Sequence, residues 1–176
     1  MLKKILISAL LVFCLLVSEE GRAQTFECGL ISSAAQAGLR FRFMSGRNDS
    51  ELRLCADLYH VIDGKNNCPG GLASYFIRFN AAEWKINDEV RVQFNAGPGA
   101  SAGYVMDNSD RRGVVAGMSG MASFDFRFNS GLSVSAGFSA VLGCHTGKKN
   151  GNTTLTFYHN GIYRAWIPEI SINYRF

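Results

Sequence analysis

Apolar and polar side chains alternate with a period of two along most of the chain after residue 23. The pattern is clearest at the end of the chain, in the segment EISINYRF (169–176). One parity of this last segment carries Trp166, Pro168, Ile170, Ile172, Tyr174 and Phe176, and the other carries Ala165, Ile167, Glu169, Ser171, Asn173 and Arg175. A period of two predicts a β-strand with one apolar and one polar face, whereas an amphipathic helix needs a period near 3.6.

Six further segments alternate in the same way, and a weaker one precedes them. The clear segments cover 39–43, 52–58, 75–81, 90–104, 114–128 and 132–142, and the weak first segment covers 25–31. Connections rich in glycine, asparagine and aspartate separate the segments, and the connection FNSGL predicts a tight hairpin turn. No segment has a helical period. The pattern therefore predicts an all-β protein in which eight antiparallel strands run up and down in sequence.

Two kinds of protein are built from such strands. In a water-soluble sandwich or small barrel the apolar face points inward and the charged face meets solvent. In a transmembrane β-barrel the assignment is inverted, because the apolar face meets lipid and the polar face lines the lumen. The period alone does not separate these two folds.

The positions of the aromatic residues favour the membrane-embedded fold. If the last strand descends toward the periplasm, the short turns near residue 46, at KIND and at NSG fall on the inner side, and the longer loops fall outside, as in outer-membrane barrels. The aromatic side chains then form two interfacial girdles. The inner girdle contains Phe43, Phe79, Trp84, Phe126, Phe128, Tyr174 and Phe176, and the outer girdle contains Tyr75, Tyr104 and Trp166.

The polar parity of the strands is rich in charged residues, which we expect to form a network inside the barrel. The predicted lumen network consists of Arg40, Arg42, Arg53, Asp57, Arg78, Arg91, Asp125, Arg127, Glu169 and Arg175. An eight-stranded barrel has an interior just wide enough for side chains to fill. We therefore expect arginine–carboxylate pairs in a filled lumen rather than an open pore.

The first 23 residues have the features of a cleaved signal peptide. Lys3 and Lys4 precede an apolar run of thirteen residues, and Gly21-Arg22-Ala23 supplies small residues for cleavage. The run is shorter than the roughly 20 apolar residues of a membrane-spanning helix. Residues 24–176 form one predicted barrel domain. They carry 15 lysine and arginine residues against 12 aspartate and glutamate residues, too small an excess to indicate nucleic-acid binding.

The four cysteines after residue 23 allow three fully paired connectivities, and the sequence does not choose between them. Cys68 and Cys144 both fall near the outer ends of strands and are the candidate pair for a disulfide, while Cys28 and Cys55 fit equally well as free thiols. His60, His145 and His159 also map to the outer side, where a metal or haem site would need imidazoles at fixed geometry. Three histidines near loops in a chain of this size can also arise by coincidence. We predict no metal and no cofactor.

Two stretches, VQFNAGPGASAGYV (92–105) and the closing YRAWIPEISINYRF (163–176), resemble the OmpX-like and PorT-like families of small eight-stranded outer-membrane β-barrels of Gram-negative bacteria. The resemblance implies an outer-membrane location with lipid as the surrounding medium. It also implies that the barrel-assembly machinery recognises Tyr174 and Phe176 on the last strand.

The sequence and the resemblance together indicate a non-enzymatic outer-membrane barrel. Its loops, around residues 65–66, 111–112 and 148–149, would be displayed for surface interaction or envelope integrity. A narrow passive channel for small solutes is one alternative. A lipid-modifying envelope enzyme is another, and it would need a hydroxyl, a histidine and a carboxylate close together.

Overall fold

The structure, a computed structural model, describes residues 25–45, 48–59, 61, 64, 69–107, 112–149 and 152–176. The predicted signal peptide (1–23), His60, Cys68 and the loop positions 65–66 and 111 lie outside the described residues.

Nine strands and one short helical segment make up the described chain. The strands are β1 (Thr25–Ser32), β2 (Gln36–Ser45), β3 (Asn48–Asp57), β4 (Gly70–Lys85), β5 (Val90–Met106), β6 (Arg112–Phe128), β7 (Leu132–Lys149), β8 (Asn152–Phe157) and β9 (Glu169–Arg175). Between β8 and β9 lie helix α1 (His159–Tyr163) and a 3₁₀ turn (Arg164–Trp166).

Eight of these strands close into an antiparallel up-and-down barrel. Strands β1 to β7 each pair with the next strand, and β9 pairs with both β7 and β1. The remaining strand, β8, pairs only with the outer part of β7, so it extends the wall without joining the closed ring. The predicted fold class is confirmed. It includes the weak first strand, which pairs with β2 along its whole length.

The sides of the wall are inverted relative to a water-soluble protein. Among the largest fully buried side chains are Arg40, Arg42, Arg78, Glu27 and Glu51. The outward positions of the strands are apolar and exposed, with Met118 at 72 % and Leu30 at 67 % as two examples. The barrel thus has apolar side chains around its outside and charged side chains inside. This is the alternation expected of a barrel that meets lipid.

A small apolar core lies at the outer end of the lumen. It is formed by Leu72, Val105, Val115, Val141 and Tyr158, all of them buried. The lumen therefore has a charged layer toward the inner rim, and toward the outer rim this apolar core lies beside further buried polar side chains.

Some features of the wall differ from the sequence prediction. The segment 158–168 was expected to be partly strand, but it contains α1 and the 3₁₀ turn, and the closing strand begins at Glu169 rather than near Trp166. The expected outer loop around residues 145–154 is largely a hairpin of β7 and β8. The hairpin turn between β6 and β7 is present, with Gly131 at a φ of +86°, which a glycine adopts without strain. Among the described residues, no helix is long and apolar enough to cross a membrane.

Candidate functional site: the charged lumen and its outer lid

The lumen network is centred on the carboxylate of Glu51 on β3. Its Oε1 lies 2.5 Å from Arg53 Nε, and its Oε2 lies 2.7 Å from Arg40 Nη2 and 3.2 Å from Arg78 Nε. Arg42 Nε is 3.8 Å from the same Oε2. Alternating inward positions on β2, β3 and β4 bring these groups together, so that one buried carboxylate faces four guanidinium groups.

A second carboxylate, Asp125 on β6, shares two of these arginines from across the lumen. Its Oδ2 lies 2.5 Å from Arg78 Nη2 and 3.3 Å from Arg42 Nη2. The same oxygen accepts a hydrogen bond from Asn95 Nδ2 at 2.9 Å. Because Asp125 and Glu51 face each other through shared arginines, the network spans the lumen rather than following one wall.

The first and last strands of the barrel, β1 and β9, contribute to the same network. Glu27 Oε2 on β1 is 2.7 Å from Arg42 Nη1, and Glu169 Oε2 on β9 is 2.6 Å from Arg53 Nη1. Glu169 also accepts hydrogen bonds from Gln36 and from Ser139. These contacts connect β1 and β9 to β2 and β3 through the interior, in addition to the backbone pairing in the wall.

The charged layer is balanced in charge and nearly free of space. Its four most central arginines meet four buried carboxylates, those of Glu27, Glu51, Asp125 and Glu169. A cavity of about 10 Å³ lies among Arg40, Arg53, Glu169 and neighbouring serines, which is about the space of one water molecule. At this level the lumen is thus filled by side chains.

The outer mouth is covered by the segment that follows Tyr158. We call residues 159–168 the lid. The guanidinium of Arg164 in the lid enters the mouth, where Nη2 pairs with Asp57 Oδ1, Nη1 donates to Gln36 Oε1 at 3.0 Å, and Nε donates to the Tyr158 hydroxyl at 3.2 Å. Each guanidinium nitrogen therefore has its own acceptor.

The start of the lid is attached to the wall through Asp107. The Asp107 Oδ1 atom accepts hydrogen bonds from the backbone N–H groups of His159 and Asn160, both at 3.1 Å. The His159 ring is largely exposed, with Nδ1 3.5 Å from Asp107 Oδ2. Asn160 Nδ2 donates to Met106 O at 3.0 Å. A buried carboxylate thus satisfies the first N–H groups of α1, which would otherwise lack partners.

The acid–base properties of the mouth follow from burial and from this pairing. Burial raises the pKa of Tyr158 to about 12, although nearby Arg164 acts in the opposite direction. Burial alone would lower the pKa of Arg164, but Tyr158 and Asp57 outweigh it, and the pKa lies above its ordinary value. Arg164 is accordingly a cation, and Tyr158 a neutral donor or acceptor, at physiological pH.

Seven of the ten residues predicted for the lumen network are buried in the lumen. They are Arg40, Arg42, Arg53, Asp57, Arg78, Asp125 and Glu169. Arg127 is half-buried with Nη2 3.5 Å from Asp49 Oδ2, and half-buried Arg175 donates to Phe128 O at 3.4 Å.

The placement of Arg91 in the lumen was wrong. Its side chain is 60 % exposed and lies 3.8 Å from Glu83 on the neighbouring strand. Strand β3 begins at Asn48, which lies opposite Phe79 on β4. Arg91 lies opposite Lys85, six residues further along β4 and past the start of β3. It lies where the β4–β5 hairpin projects past the rim, so its parity no longer points into an enclosed space.

The predicted interfacial aromatics lie on the outer surface of the wall or at its rims. Tyr75, Phe79, Trp84, Tyr104, Trp166 and Tyr174 are exposed, and Phe43 and Phe128 are half-buried. At the inner rim the ring of Phe26 lies 5.3 Å from that of Phe43 and 6.2 Å from that of Phe176. Phe176 is also 5.2 Å from Tyr174. The two residues implied as an assembly signal thus lie in one aromatic cluster at the inner rim, beside both the first and the last strand.

Several charged residues of the site were absent from the predicted network, among them Glu27, Glu51, Asp107 and Arg164. Glu51 has the same parity as Arg53, so strand parity could have found it. Glu27 lies on the weak first strand, where the alternation is too short to assign a face. Arg164 directly precedes the segment that was assigned to the last strand, and it has the parity of the outward residues Trp166 and Ile170, so parity would have placed it on the apolar face.

The cysteines and histidines that the structure describes form no reactive cluster. Cys28, Cys55 and Cys144 are free thiols, and the predicted disulfide partner Cys68 lies outside the described residues. His145 is buried, with Nε2 3.2 Å from Val105 O and its ring stacked on Tyr158. Within the described ranges, no group of three or more histidine, cysteine, aspartate or glutamate side chains could hold a metal ion.

Comparison with known proteins supports the fold. No protein family and no curated protein matches the sequence. Among solved structures, the N-terminal β-barrel domain of OprF from Pseudomonas aeruginosa is similar, with a TM-score of 0.51 and 12 % sequence identity. The match covers 89 % of this chain and 100 % of the OprF chain. At this identity the likeness concerns the fold alone, a closed eight-stranded barrel like that of an outer-membrane protein domain.

Proposed function

We propose that the protein is an integral outer-membrane β-barrel with a filled lumen and no enzymatic activity, and that it acts through its outer surface in surface interaction or envelope integrity. The observation that carries the proposal is the inverted wall, in which buried arginines and carboxylates face inward and exposed apolar side chains face outward. In water, such a surface would be an apolar patch far larger than soluble monomers expose.

The height of the apolar wall fits a membrane. On β7 the outward positions run from Leu132 to Leu142, which is ten residue steps. At about 3.3 Å per step and a strand tilt of roughly 40°, these steps span about 25 Å along the barrel axis. That value matches the apolar band of outer-membrane barrels. The exposed Trp166 and Tyr104 lie toward the outer end of this band, and Tyr174 and Phe176 lie toward the inner end.

The finer assignment to OmpX-like and PorT-like barrels of Gram-negative bacteria is part of this proposal. It is supported by the two stretches that resemble those families, by the signal-peptide pattern of residues 1–23, and by the similarity of the fold to the OprF domain. Interaction with the barrel-assembly machinery during biogenesis is proposed on the same basis.

Gel mobility tests the membrane assignment directly. Unboiled and boiled samples of the outer-membrane fraction are compared by electrophoresis, and we expect the unboiled protein to migrate differently because the barrel stays folded. A protein recovered in the soluble periplasmic fraction, with the same mobility before and after boiling, would contradict the proposal.

The filled lumen disfavours a passive channel. With space for about one water molecule among Arg40, Arg53 and Glu169, no continuous water path is expected at that level. We predict that planar-bilayer recordings of the purified protein show no conductance above background. Steady single-channel currents would instead establish the narrow channel.

The described part of the outer mouth does not bring together the hydroxyl, histidine and carboxylate that a hydrolase needs. Asp107 and His159 lie 3.5 Å apart, but among the described residues no serine or threonine hydroxyl donates to the His159 ring. We expect the lipid profile of the envelope to be unchanged by His159→Ala and by His60→Ala. A lost lipid species in either variant would favour an enzyme.

A further inference from the structure

The guanidinium of Arg164 occupies a site built from three separate parts of the wall. Asp57 is the last residue of β3, Gln36 the first of β2, and Tyr158 follows β8. The side chains of Asp57 and Tyr158 are fully buried, and Gln36 is nearly so. They present a carboxylate oxygen, an amide oxygen and a hydroxyl to the three nitrogens of one planar group. This arrangement matches the fork of a guanidinium rather than the point charge of an ammonium.

The acceptors are held in place without help from Arg164. Asp57 Oδ1 accepts from the backbone N–H of Tyr59 at 3.3 Å, and Asp57 Oδ2 accepts from that of Met106 at 3.4 Å. Gln36 Nε2 donates to Glu169 Oε1 at 2.5 Å, which turns the amide oxygen of Gln36 toward the mouth. Tyr158 is held by the apolar core and by a backbone hydrogen bond to Gly143 O at 2.9 Å. The site is therefore preorganised.

The guanidinium that fills this site does not belong to a strand of the barrel. Arg164 lies in the lid, which consists of a five-residue helix and a 3₁₀ turn rather than a paired strand. Around it Ile162, Tyr163 and Trp166 are exposed, and Trp166 is 83 % exposed. Arg164 and Asn160 are thus the buried polar side chains of the lid, and Arg164 is the charged one.

The mouth becomes acidic when Arg164 leaves. Asp57 and Asp107 are both buried there, and Glu169 lies directly below, paired with Arg53. Without Arg164, Asp57 has no cationic partner among the described residues, and a buried carboxylate strongly favours a new cation. The vacated site therefore selects for positive charge as well as for planar shape.

We propose that the lid is displaceable and that Arg164 acts as an internal ligand in a binding site for guanidinium-bearing small molecules. The site opens to the outer side of the membrane, so this inference rests on the proposed outer-membrane orientation. A guanidinium compound arriving from outside replaces Arg164 on Asp57, Gln36 and Tyr158, and the lid moves away from the mouth.

The first test fills the site in a variant that lacks the internal ligand. The full chain carrying Arg164→Ala is folded in detergent micelles, and its Tm is measured against increasing n-propylguanidinium, with n-propylammonium as the control of equal charge. We expect a saturable rise in Tm with the guanidinium compound and a much smaller one with the ammonium compound. Equal responses to the two compounds, or no saturable response, would overturn the proposal.

A matched variant shows whether Asp57 carries the binding. Adding Asp57→Asn to Arg164→Ala removes the carboxylate but keeps the shape of the side chain, and we expect the response to n-propylguanidinium to disappear. The wild-type chain should need at least about tenfold more n-propylguanidinium for the same rise in Tm, because Arg164 occupies the site and only molecules with the lid open can bind the compound. A response retained without the Asp57 carboxylate would place the binding elsewhere and refute the assignment.

The second test needs no change at Arg164 and reports displacement in the otherwise native chain. Cys55 lies two residues before Asp57 on β3, also faces inward and is buried. In a chain with Cys28, Cys68 and Cys144 changed to serine, the rate at which a hydrophilic thiol reagent labels Cys55 should rise several-fold with n-propylguanidinium. A rate unaffected at saturating compound would show that the lid stays closed. The gel mobility of the unboiled sample shows whether the barrel is folded, so an unfolded barrel cannot be mistaken for a closed lid.

Discussion

Glu51→Gln is the substitution that tests the lumen network most directly. It removes one negative charge from a carboxylate that is fully buried and lies within 3.2 Å of nitrogens of Arg40, Arg53 and Arg78. The amide keeps one acceptor oxygen, but its NH₂ group must face a guanidinium that can only donate. The charged layer is left with one unbalanced positive charge.

The expected loss is a decrease in the free energy of unfolding, and its size can be estimated. Removing one partner of a buried ion pair costs about 3–5 kcal/mol, because the remaining charge has neither solvent nor a counterion. With a urea m-value of about 2 kcal/mol/M, the unfolding midpoint falls by roughly 1.5–2.5 M. The measurement is reversible urea unfolding in lipid vesicles, followed by the fluorescence of Trp84 and Trp166.

The same substitution at Glu83 is the matched control. Glu83 lies 3.8 Å from Arg91 in an exposed pair on the projecting hairpin, and Glu83→Gln should cost about 0–1 kcal/mol. If Glu51→Gln lowers the free energy of unfolding no more than Glu83→Gln does, the lumen network does not stabilise the barrel.

Three further predictions concern the wall, the mouth and the last residue. Ile170 faces outward opposite Ala136, near half the height of the wall. Ile170→Arg should therefore lower the free energy of unfolding by about 2–4 kcal/mol, against about 0–1 kcal/mol for Tyr174→Arg at the inner rim. Equal urea midpoints for the two variants would contradict the lipid-facing assignment. The pKa of Tyr158 is raised from 10.0 to about 12, so the folded state retains a proton that the unfolded chain loses, and stability should fall between pH 10 and 12. Tyr158→Phe should remove this slope in Tm against pH, and a slope that persists would locate its cause in another group. Deleting Phe176 should reduce the amount of assembled barrel in cells while leaving refolding into detergent nearly unchanged; normal assembly in cells would rule out its role as an assembly signal.

The strands could be predicted from sequence because one physical requirement repeats along the chain. Each wall residue meets either lipid or the lumen, so parity along 114–128 or 132–142 indicates both the strand and its faces. Parity does not show where a strand leaves the closed wall. Arg91 has the parity of the inward residues Gln93 and Asn95, but it lies past the rim and is exposed.

The lid could not be predicted for a different reason. The stretch from Ala165 to Pro168 was assigned to the closing strand, and the five-residue helix before it, His159–Tyr163, is too short to show a period of 3.6. The position of Arg164 depends on Gln36 and Asp57, more than 100 residues earlier in the chain. Such a contact is set by tertiary structure and leaves no local pattern.

The short pairings of the last strand, β9, determine how the barrel is expected to come apart. Strands β1 and β9 are paired through six residues each, whereas β5 and β6 are paired through seventeen. The pairing of β9 with β7 is equally short, with six residues each. Separation should therefore begin on one side of β9, where the fewest backbone hydrogen bonds have to break together. The ion pairs from Glu27 to Arg42 and from Glu169 to Arg53 hold β1 and β9 from inside. The arginines of the lumen would then govern the lifetime of the closed ring, and their loss should appear first as faster unfolding.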